Sequence, residues 1–391
     1  MSLRSRRSTA LALITLATFT DIVAYSVAVP VLPDLSRRLG ASATVVGLLF
    51  ASFGVTLLAV SVPMGAVSDR VGRKPPLVGG LSALAVATLL FAFAGGLPAL
   101  FVARLVQGAA DAVTWVVGFA LLADLYGPQE RGRATGIVMS GTSFAFMIGP
   151  SFGGWLYEIG GMRLPFVCVA AMAACAAAAF AWLQLPGEHA DRDRVPFRIV
   201  LRTPAVAACT AAVAMASATI SMLEPVMALH LEGDLGIGPA RLGVLFGIAA
   251  VAMAALNPIY GRLADRFGAR RLTMIGLLLA GTMLPALGRM WSFESGVVLY
   301  TLQAATVALV ITPSLAYMAE ATSDAGIESY GVSYGLYNFA WGAGLLGGPA
   351  LGGFVYERLG FTNLLTAWAP ATVVAMVVLA SAESKGRRAR S

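Results

Sequence analysis

Apolar residues fall into long runs along this chain, and short polar breaks separate the runs. About twelve runs reach the length of about 20 residues that an α-helix needs to cross a bilayer. The runs are solidly apolar rather than alternating, which excludes the strands of a membrane β-barrel. The first is too long for a cleaved signal peptide. Numbered as spans 1 to 12, the runs are 10–33, 44–68, 76–97, 99–124, 134–157, 163–185, 204–231, 240–264, 271–291, 294–320, 330–356 and 361–382.

The longest polar stretch, residues 186–203, divides the spans into two sets of six. We interpret this stretch as a cytoplasmic linker. It joins an N-terminal six-helix bundle, residues 1–185, to a C-terminal six-helix bundle, residues 204–391. The pattern predicts an all-α membrane protein with twelve transmembrane helices.

Two motifs recur between the two sets of spans. GAVSDRVGRK at 65–74 recurs as GRLADRFGAR at 261–270, an offset of 196 residues. GPSFGGWLYEIG at 149–160 recurs as GPALGGFVYERLG at 348–360, an offset of 199 residues. Chance rarely repeats two separate motifs at nearly one offset. The repeats predict two pseudo-symmetric bundles with a binding site between them.

The composition indicates that lipid forms part of the chain's solvent. The chain is 58% hydrophobic and 12% charged, whereas soluble domains are about 45–50% apolar and about 25% charged. A folded interior cannot absorb this apolar excess, which excludes a soluble enzyme, a disordered chain and a secreted disulfide scaffold. The three cysteines lie within apolar runs, so no disulfide framework is implied.

The net charge of +7 reflects where the basic residues lie. Most lysines and arginines fall at the two ends of the chain and in the breaks after even-numbered spans. Basic loops stay on the cytoplasmic side, so we expect a cell (inner) membrane protein with both termini in the cytoplasm. The lipid bilayer therefore explains the basic charge, and we expect no nucleic-acid partner.

The first repeated motif, with Gly65, Asp69, Arg70, Gly72 and Arg73, resembles the signature loop of the major facilitator superfamily. GIVMSGTSFAFMIGPSFGGWL in span 5 resembles the glycine-proline motif of that superfamily's proton-coupled drug antiporters. This resemblance implies the superfamily fold and a secondary transporter rather than an enzyme. We expect a monomer with no cofactor and no metal.

Further segments resemble the vesicular amine transporters, which exchange lumenal protons for cytoplasmic monoamines or acetylcholine. The segments are TDIVAYSVAVPVLP in span 1, ARLVQG in span 4, SMLEP in span 7 and YGVSYGLYNFAWGAGLLGGPALGG in span 11. The resemblance implies that four residues hold the family's functional acid and base positions: Asp21, Arg104, Glu224 and Glu320.

The chain departs from that family at three positions. Phe53 replaces a membrane-embedded lysine, and Asn338 replaces the aspartate that partners it. Losing both is coherent, because losing one would leave an uncompensated charge. Asp111 stands where the family has a small polar residue. The departures leave the substrate and the number of protons open.

Acidic residues within the spans suggest the chemistry. An ionisable residue in a span costs about 2.5–3.5 kcal/mol on insertion scales and is a functional hypothesis by default. Asp21 lies in the middle of span 1, and Glu224 lies in the middle of span 7. Burial disfavours the charged carboxylate, so such a group holds a proton or a cationic amine, but not both comfortably. A structural ion pair or a protonated structural acid is the alternative.

Span 4 carries Arg104, Gln107 and Asp111 on one helical stripe. Arginine stays charged, so it needs an acidic partner, and Asp111, Glu224 or Asp21 can supply it. We expect proton coupling to involve Asp21, Arg104, Asp111, Glu224 and Glu320. For Asp111 a structural role is equally open. Glu320 either balances the charge of the signature-loop arginines or serves as a gate or proton site.

The remaining candidates bind the substrate or gate the path. Aromatic faces bind cations, and the expected substrate contacts beside Asp21 and Glu224 are Tyr25, Trp115, Phe144, Tyr334, Asn338 and Trp341. Small residues let membrane helices approach closely, and the signature loop with Asp124 is expected to form a charge cluster that closes the cytoplasmic side. The gating and structural set is Gly65, Asp69, Arg70, Gly72, Arg73, Asp124, Gly149, Pro150, Gly348 and Pro349.

Together these features predict a proton-coupled antiporter that exports organic cations, monoamine-like compounds or cationic drugs, by alternating access. A proton-coupled symporter that imports a solute is the first alternative. A membrane sensor or scaffold that transports nothing is the second. An intramembrane enzyme is disfavoured because no nucleophile-elbow or zinc-protease motif occurs and only two histidines are present.

Overall fold

The computed structural model describes residues 3–184, 203–324 and 330–388, and within these ranges the chain is helical with no strand. The helices are α1 (Leu3–Ser26), α2 (Leu32–Leu39), α3 (Ala43–Val71), α4 (Lys74–Ala92), α5 (Leu97–Leu125), α6 (Pro128–Gly160), α7 (Arg163–Trp182), α8 (Pro204–Leu235), α9 (Pro239–Phe267), α10 (Ala269–Leu287), α11 (Phe293–Asp324), α12 (Tyr330–Leu359) and α13 (Phe361–Arg388). The predicted all-α class is confirmed. The predicted linker lies outside the described residues except for Thr203.

Ten segments of the described chain are long and apolar enough to cross a membrane, α1 and α2 counting as one segment. Helices α6, with 33 residues, and α12, with 30 residues, are not among the ten. These two carry the glycine-proline motifs, whose many glycines and serines lower the hydropathy. With them, the long helices match the predicted spans one to one.

The first predicted span, 10–33, differs from the structure at its end. Helix α1 stops at Ser26, a short 3₁₀ turn follows at Val29–Val31, and α2 then begins. Pro30 and Pro33 occupy the first turns of the 3₁₀ segment and of α2. Proline is tolerated there because the missing N–H would have no helical partner.

The chain forms two compact units. The first comprises Met1–Ala41, Ser52–Arg192 and Gly238–Gly247, and the second comprises Ser42–Ala51, Asp193–Ile237 and Ile248–Ser391. In the first unit α1 packs along α6, and α4 packs against α5 and α7. In the second unit α8 packs along α12, and α10 packs against α11 and α13. These are the repeat counterparts, so both units have the same helix pairing.

Left-handed glycines follow the same repeat. Only glycine adopts a positive φ without steric cost. Within the described residues, six glycines have positive φ, and they form three pairs at offsets of 196, 196 and 199 residues: Gly40 and Gly236, Gly72 and Gly268, and Gly161 and Gly360. The chain therefore turns in the same way at corresponding helix ends of the two units.

Glycines also set the distance between the paired helices. A methyl group added to Gly149 of α6 would overlap Ser26 of α1, and one added to Gly348 of α12 would overlap the main chain of Ala218 in α8. Both helices contain their motif proline, Pro150 or Pro349, as an internal residue. Thus α1 and α8 each lie directly against a glycine-rich helix, as small residues allow in membranes.

Candidate functional site

Asp21 lies near the C-terminal end of α1, which stops at Ser26, in the first unit, and is only 1% exposed. The carboxyl group of Asp111 and the indole of Trp115, both on α5, lie near enough to the Asp21 carboxyl to interact with it electrostatically. Neither oxygen of Asp21 has a donor in hydrogen-bonding geometry. Two buried carboxyl groups therefore lie near each other and near one indole N–H.

Arg104, Gln107 and Asp111 are all buried along α5, and Arg104 is 0% exposed. The Arg104 guanidinium donates from Nη1 to Gln107 Oε1 at 3.3 Å, and Gln107 Nε2 donates to Thr88 Oγ1 of α4 at 3.1 Å. The guanidinium carbon of Arg104 lies 5.2 Å from the ring centre of Phe91. This network fixes a permanent positive charge on the same helix as Asp111.

Aromatic side chains surround these groups. The ring of Tyr25, one turn beyond Asp21 on α1, lies 5.6 Å from the Arg104 guanidinium carbon and 5.2 Å from the ring of Phe53. Phe53, which replaces the lysine expected from the resemblance, is buried. Trp115 stacks on Phe119 with ring centres 5.5 Å apart. An aromatic wall with an electron-rich face suits a cation.

Phe144 contacts a different aromatic residue, Phe19. Its ring stacks on Phe19 with centres 6.0 Å apart, and 48% of the residue is exposed. The structure therefore brings Tyr25 and Trp115 to the acids and the arginine, and it places Phe144 on an exposed face of α6.

Glu224 is the buried acid of the second unit, on α8. Tyr300 of α11 is also buried and lies within electrostatic range of the Glu224 carboxyl. On the same helix as Glu224, Ser217 Oγ donates to the Trp341 carbonyl at 2.8 Å, and Ser221 Oγ donates to the Gly344 carbonyl at 3.1 Å. These two hydroxyl groups join α8 to α12.

The predicted contacts on α12 are less clustered. Trp341 and Asn338 are both half-buried, and the Trp341 carbonyl accepts the Ser217 hydroxyl. The side chain of Tyr334 lies outside the described part of the chain. The assignment of these three residues to a substrate site stays a prediction.

The signature loop contains a charge cluster in the first unit. Arg73 donates from Nε to Asp124 Oδ2 at 2.8 Å and from Nη1 to Asp69 Oδ1 at 2.6 Å and Ser68 Oγ at 2.7 Å. Burial opposes the charge of the guanidinium, but the hydrogen bonds and charges of Asp124 and Asp69 outweigh it and raise the pKa of Arg73. Gly72 provides the left-handed turn before Arg73.

Gly65 and Arg70, also in the gating set, and Glu320 are described by their packing and exposure. Gly65 on α3 faces Val116 of α5, and a methyl group there would make ordinary contact. Arg70 is exposed. Glu320, at the repeat position of Asp124, is also exposed, on the next-to-last turn of α11.

Tyr300 is the residue that the sequence reasoning missed. It lies 196 residues after Arg104, and Gln303 lies 196 residues after Gln107. The offset of 196 residues between the two repeats is the sequence signal that would have identified Tyr300 and Gln303. Like Gln107, Gln303 ties two helices of its unit together, because its Nε2 donates to the Ala280 carbonyl at 3.2 Å.

No metal centre is formed by the described residues, since no three histidine, cysteine, aspartate or glutamate side chains there lie close enough to hold an ion. The groups that the described residues bring together around Asp21 are carboxyl groups, the Arg104 guanidinium and aromatic rings. Such groups bind protons and organic cations.

Comparison with known proteins extends this geometry. The family model described as Major Facilitator Superfamily matches residues 14–222 and 209–390. The probable vesicular acetylcholine transporter-B of Danio rerio is 28% identical over 379 residues, covering 92% of this chain and 76% of that protein. The human chromaffin granule amine transporter is 27% identical over 325 residues, covering 82% of this chain and 62% of that protein.

The human synaptic vesicular amine transporter is 26% identical over 327 residues and also covers 82% of this chain. The chain spans less than two thirds of both amine transporters, 62% and 63% of their lengths.

Two solved structures share the fold. A bacterial homologue of the human lysosomal transporter Spinster superposes with a TM-score of 0.75 at 17% identity, covering 97% of this chain and 95% of that one. The human organic anion transporter MFSD10 superposes with a TM-score of 0.70 at 20% identity, covering 95% of this chain and 99% of that one.

Proposed function

Because this chain belongs to the Major Facilitator Superfamily, we propose that it is a proton-coupled antiporter that exports organic cations by alternating access. The family makes it a multi-pass membrane transporter and not an enzyme. The proposed cargo is a monoamine-like compound or a cationic drug. The cell membrane, a monomeric state and cytoplasmic termini belong to the same proposal, the last because of the basic loops.

The observation that supports this function most strongly is the burial of Asp21 against Asp111. A buried carboxylate without a positive partner is costly, so the site favours states in which a proton or a cation is present. An organic cation satisfies the carboxylate oxygens and contacts the faces of Trp115 and Tyr25. Proton and cation therefore compete for one site.

The relatives point to the same chemical class of cargo. By name they transport amines or acetylcholine, and both are organic cations. The solved structures add the fold alone at their 17% and 20% identity. The cation specificity of this chain thus rests on Asp21 and its neighbours.

Glu224 and Arg104 complete the proposed mechanism. Glu224, buried in the second unit, is a second acid that exchanges protons during the cycle, with Tyr300 beside it. Arg104 keeps its charge at any physiological pH, so it offsets one carboxylate when the carrier is empty. Protons entering down their gradient load the acids and release the cation. The membrane potential contributes about 2.3 kcal/mol per charge per 100 mV.

Everted membrane vesicles test this function. The vesicle lumen is acidified, and the probes are N-methyl-4-phenylpyridinium and acetylcholine, cations with no titratable proton that would dissipate the gradient. An antiporter lets either probe enter while protons leave, so the lumen becomes less acidic. We expect Asp21→Asn, inserted at the wild-type level, to abolish this response.

Two results would contradict the proposal. Vesicles in which neither probe, nor any member of a wider panel of amines and lipophilic cations, changes the lumenal pH would exclude cation–proton exchange. A full response by Asp21→Asn would remove Asp21 from the mechanism. A solute whose addition fails to drive protons out, but whose uptake into right-side-out vesicles follows inward protons, would indicate a symporter instead.

A further inference from the structure

The carboxyl groups of Asp21 and Asp111 lie near each other, and both only accept hydrogen bonds when they are ionised. Asp21 is 1% exposed, Asp111 is 7% exposed, and their carboxyl groups lie near enough to interact electrostatically where α1 packs against α5. Neither oxygen of Asp21 has a donor in hydrogen-bonding geometry. Two carboxylates cannot donate to each other, so the contact requires a proton or a cation.

The charged groups around this pair are few. Arg104 precedes Asp111 by seven residues on α5, about 10 Å along the helix axis, and Tyr25 follows Asp21 on α1. Helices α4, α5, α6 and α7 pack against α1. The other ionisable residues of α4, α6 and α7 are Lys74, Glu130, Arg131, Arg133, Tyr157, Glu158 and Arg163 near the helix ends, and Cys168 and Cys175. In the described part of these helices, Arg104 is therefore the central positive charge.

We propose that Asp21 and Asp111 share one proton in the empty carrier, and that this proton is the one a cation displaces. The pair then has a charge of −1 when empty, which the Arg104 guanidinium offsets. When a monocation binds, the shared O–H bond breaks, the proton leaves to water, and two carboxylates hold one positive guest. The charge of the pair and its guest is still −1, so the exchange leaves the net charge of this buried region unchanged.

This inference assigns Asp111 a coupling role. The proposed function needs only an acid at Asp21; the inference adds that Asp21 alone would not carry the exchanged proton. Without Asp111, the Asp21 carboxylate and the Arg104 guanidinium offset each other in the empty carrier. A cation then binds against an excess positive charge and has no proton to displace. Asp111→Asn should bind cations more weakly and almost independently of pH.

The first experiment needs no ligand. Infrared difference spectroscopy of the purified full chain, titrated with pH, detects the C=O stretch of protonated carboxyl groups. We expect a component of this band near neutral pH that is lost in Asp21→Asn and also in Asp111→Asn, because the proton belongs to the pair, whereas any contribution of protonated Glu224 is unaffected by either change. Asp111→Glu should restore it. Glu158→Gln, an exposed acid at the end of α6, is the matched control and should leave the band unchanged.

The second experiment measures coupling. Binding of N-methyl-4-phenylpyridinium to the purified chain in weak buffer should release about one proton per cation in the wild type. Asp111→Asn should release almost none and bind at least about tenfold more weakly at pH 8, with wild-type elution from gel filtration as the folding check. Asp111→Glu should recover most of the proton release.

The outcomes separate the two levels of the account. If the component lost in Asp21→Asn persists in Asp111→Asn, or is missing from the wild type, the shared proton is overturned whatever the chain transports. Full proton release by Asp111→Asn also overturns it, while leaving the antiport proposal standing. A shared-proton band in a protein that binds no cation would instead remove the proposed function and confine the pair to a structural role, which contradicts the coupling assigned to Asp111.

Discussion

The centres of the two units differ in charge although their helices pair in the same way. In the first unit, α1 carries Asp21 and α5 carries Arg104. At the counterpart positions, 196 residues later, α8 carries Ser217 and α11 carries Tyr300. The Ser217 hydroxyl is used for packing, since it donates to the Trp341 carbonyl of α12 at 2.8 Å. The repeated scaffold thus holds the helices together, and the buried base and the acid pair are confined to one copy.

The signature loops show the same contrast. Both copies turn through a left-handed glycine, Gly72 or Gly268. In the first unit Arg73 then bridges Asp69 and Asp124. In the second unit the counterpart of Arg73 is Ala269, and the following Arg270 donates to the Leu379 carbonyl of α13 at 2.8 Å. The turn geometry is repeated, whereas the described residues of the second unit form no counterpart of the three-membered charge cluster.

The largest effect should come from removing the buried base. Arg104→Gln is expected to lower cation-driven proton exchange about a hundredfold, roughly 2.7 kcal/mol, because the acid pair loses its compensating charge. The counterpart change Tyr300→Phe removes one hydroxyl group near Glu224 and should cost only about two- to fivefold. Vesicle assays of both variants at equal insertion make the comparison. Equal losses would show that the charge asymmetry has no functional weight.

Packing, by contrast, should respond alike in both units. Gly149→Ala and Gly348→Ala each force a methyl group into the neighbouring helix and should lower the free energy of unfolding by about 1–2 kcal/mol. Gly136→Ala, on α6 with open space around it, is the control and should not destabilise. Unfolding by SDS titration measures all three. A strong effect in one unit only would contradict the shared pairing.

The smallest effect concerns the charge cluster. Asp124→Asn weakens the bridge to Arg73 and should slow transport about threefold, a loss of under about 1 kcal/mol. Its counterpart Glu320→Gln changes an exposed acid and should have less effect. Initial rates of probe uptake decide. A larger loss for Glu320→Gln than for Asp124→Asn would favour a proton site at Glu320. It would also show that the second unit, and not the first, carries the more important acid at this position.

Most of the fold follows from apolar run length, because only a helix satisfies its backbone in lipid. Run length does not reveal the break at Val29–Val31. The residues there are as apolar as those of α1, but the α-helix is interrupted beside Pro30 and Pro33. It also leaves α6 and α12 weakly marked, since glycines that pack helices together lower the hydropathy by which spans are recognised.

The site was predictable as a set of residues but not as an arrangement. Insertion cost singles out Asp21, Arg104, Asp111 and Glu224, and helical periodicity places Arg104 and Asp111 on one stripe. Periodicity within a helix does not specify which residue of another helix it meets. The proximity of Asp21 to Asp111 therefore could be found only from the packing of α1 against α5.

The most direct test of the central claim is the affinity of N-methyl-4-phenylpyridinium for the purified wild type and for Asp21→Asn across a range of pH. If proton and cation compete for the buried acids, wild-type affinity rises with pH, because fewer protons remain to be displaced, while Asp21→Asn binds weakly at every pH. Wild-type affinity that does not change with pH, or a pH-dependent affinity retained by Asp21→Asn, would contradict the account.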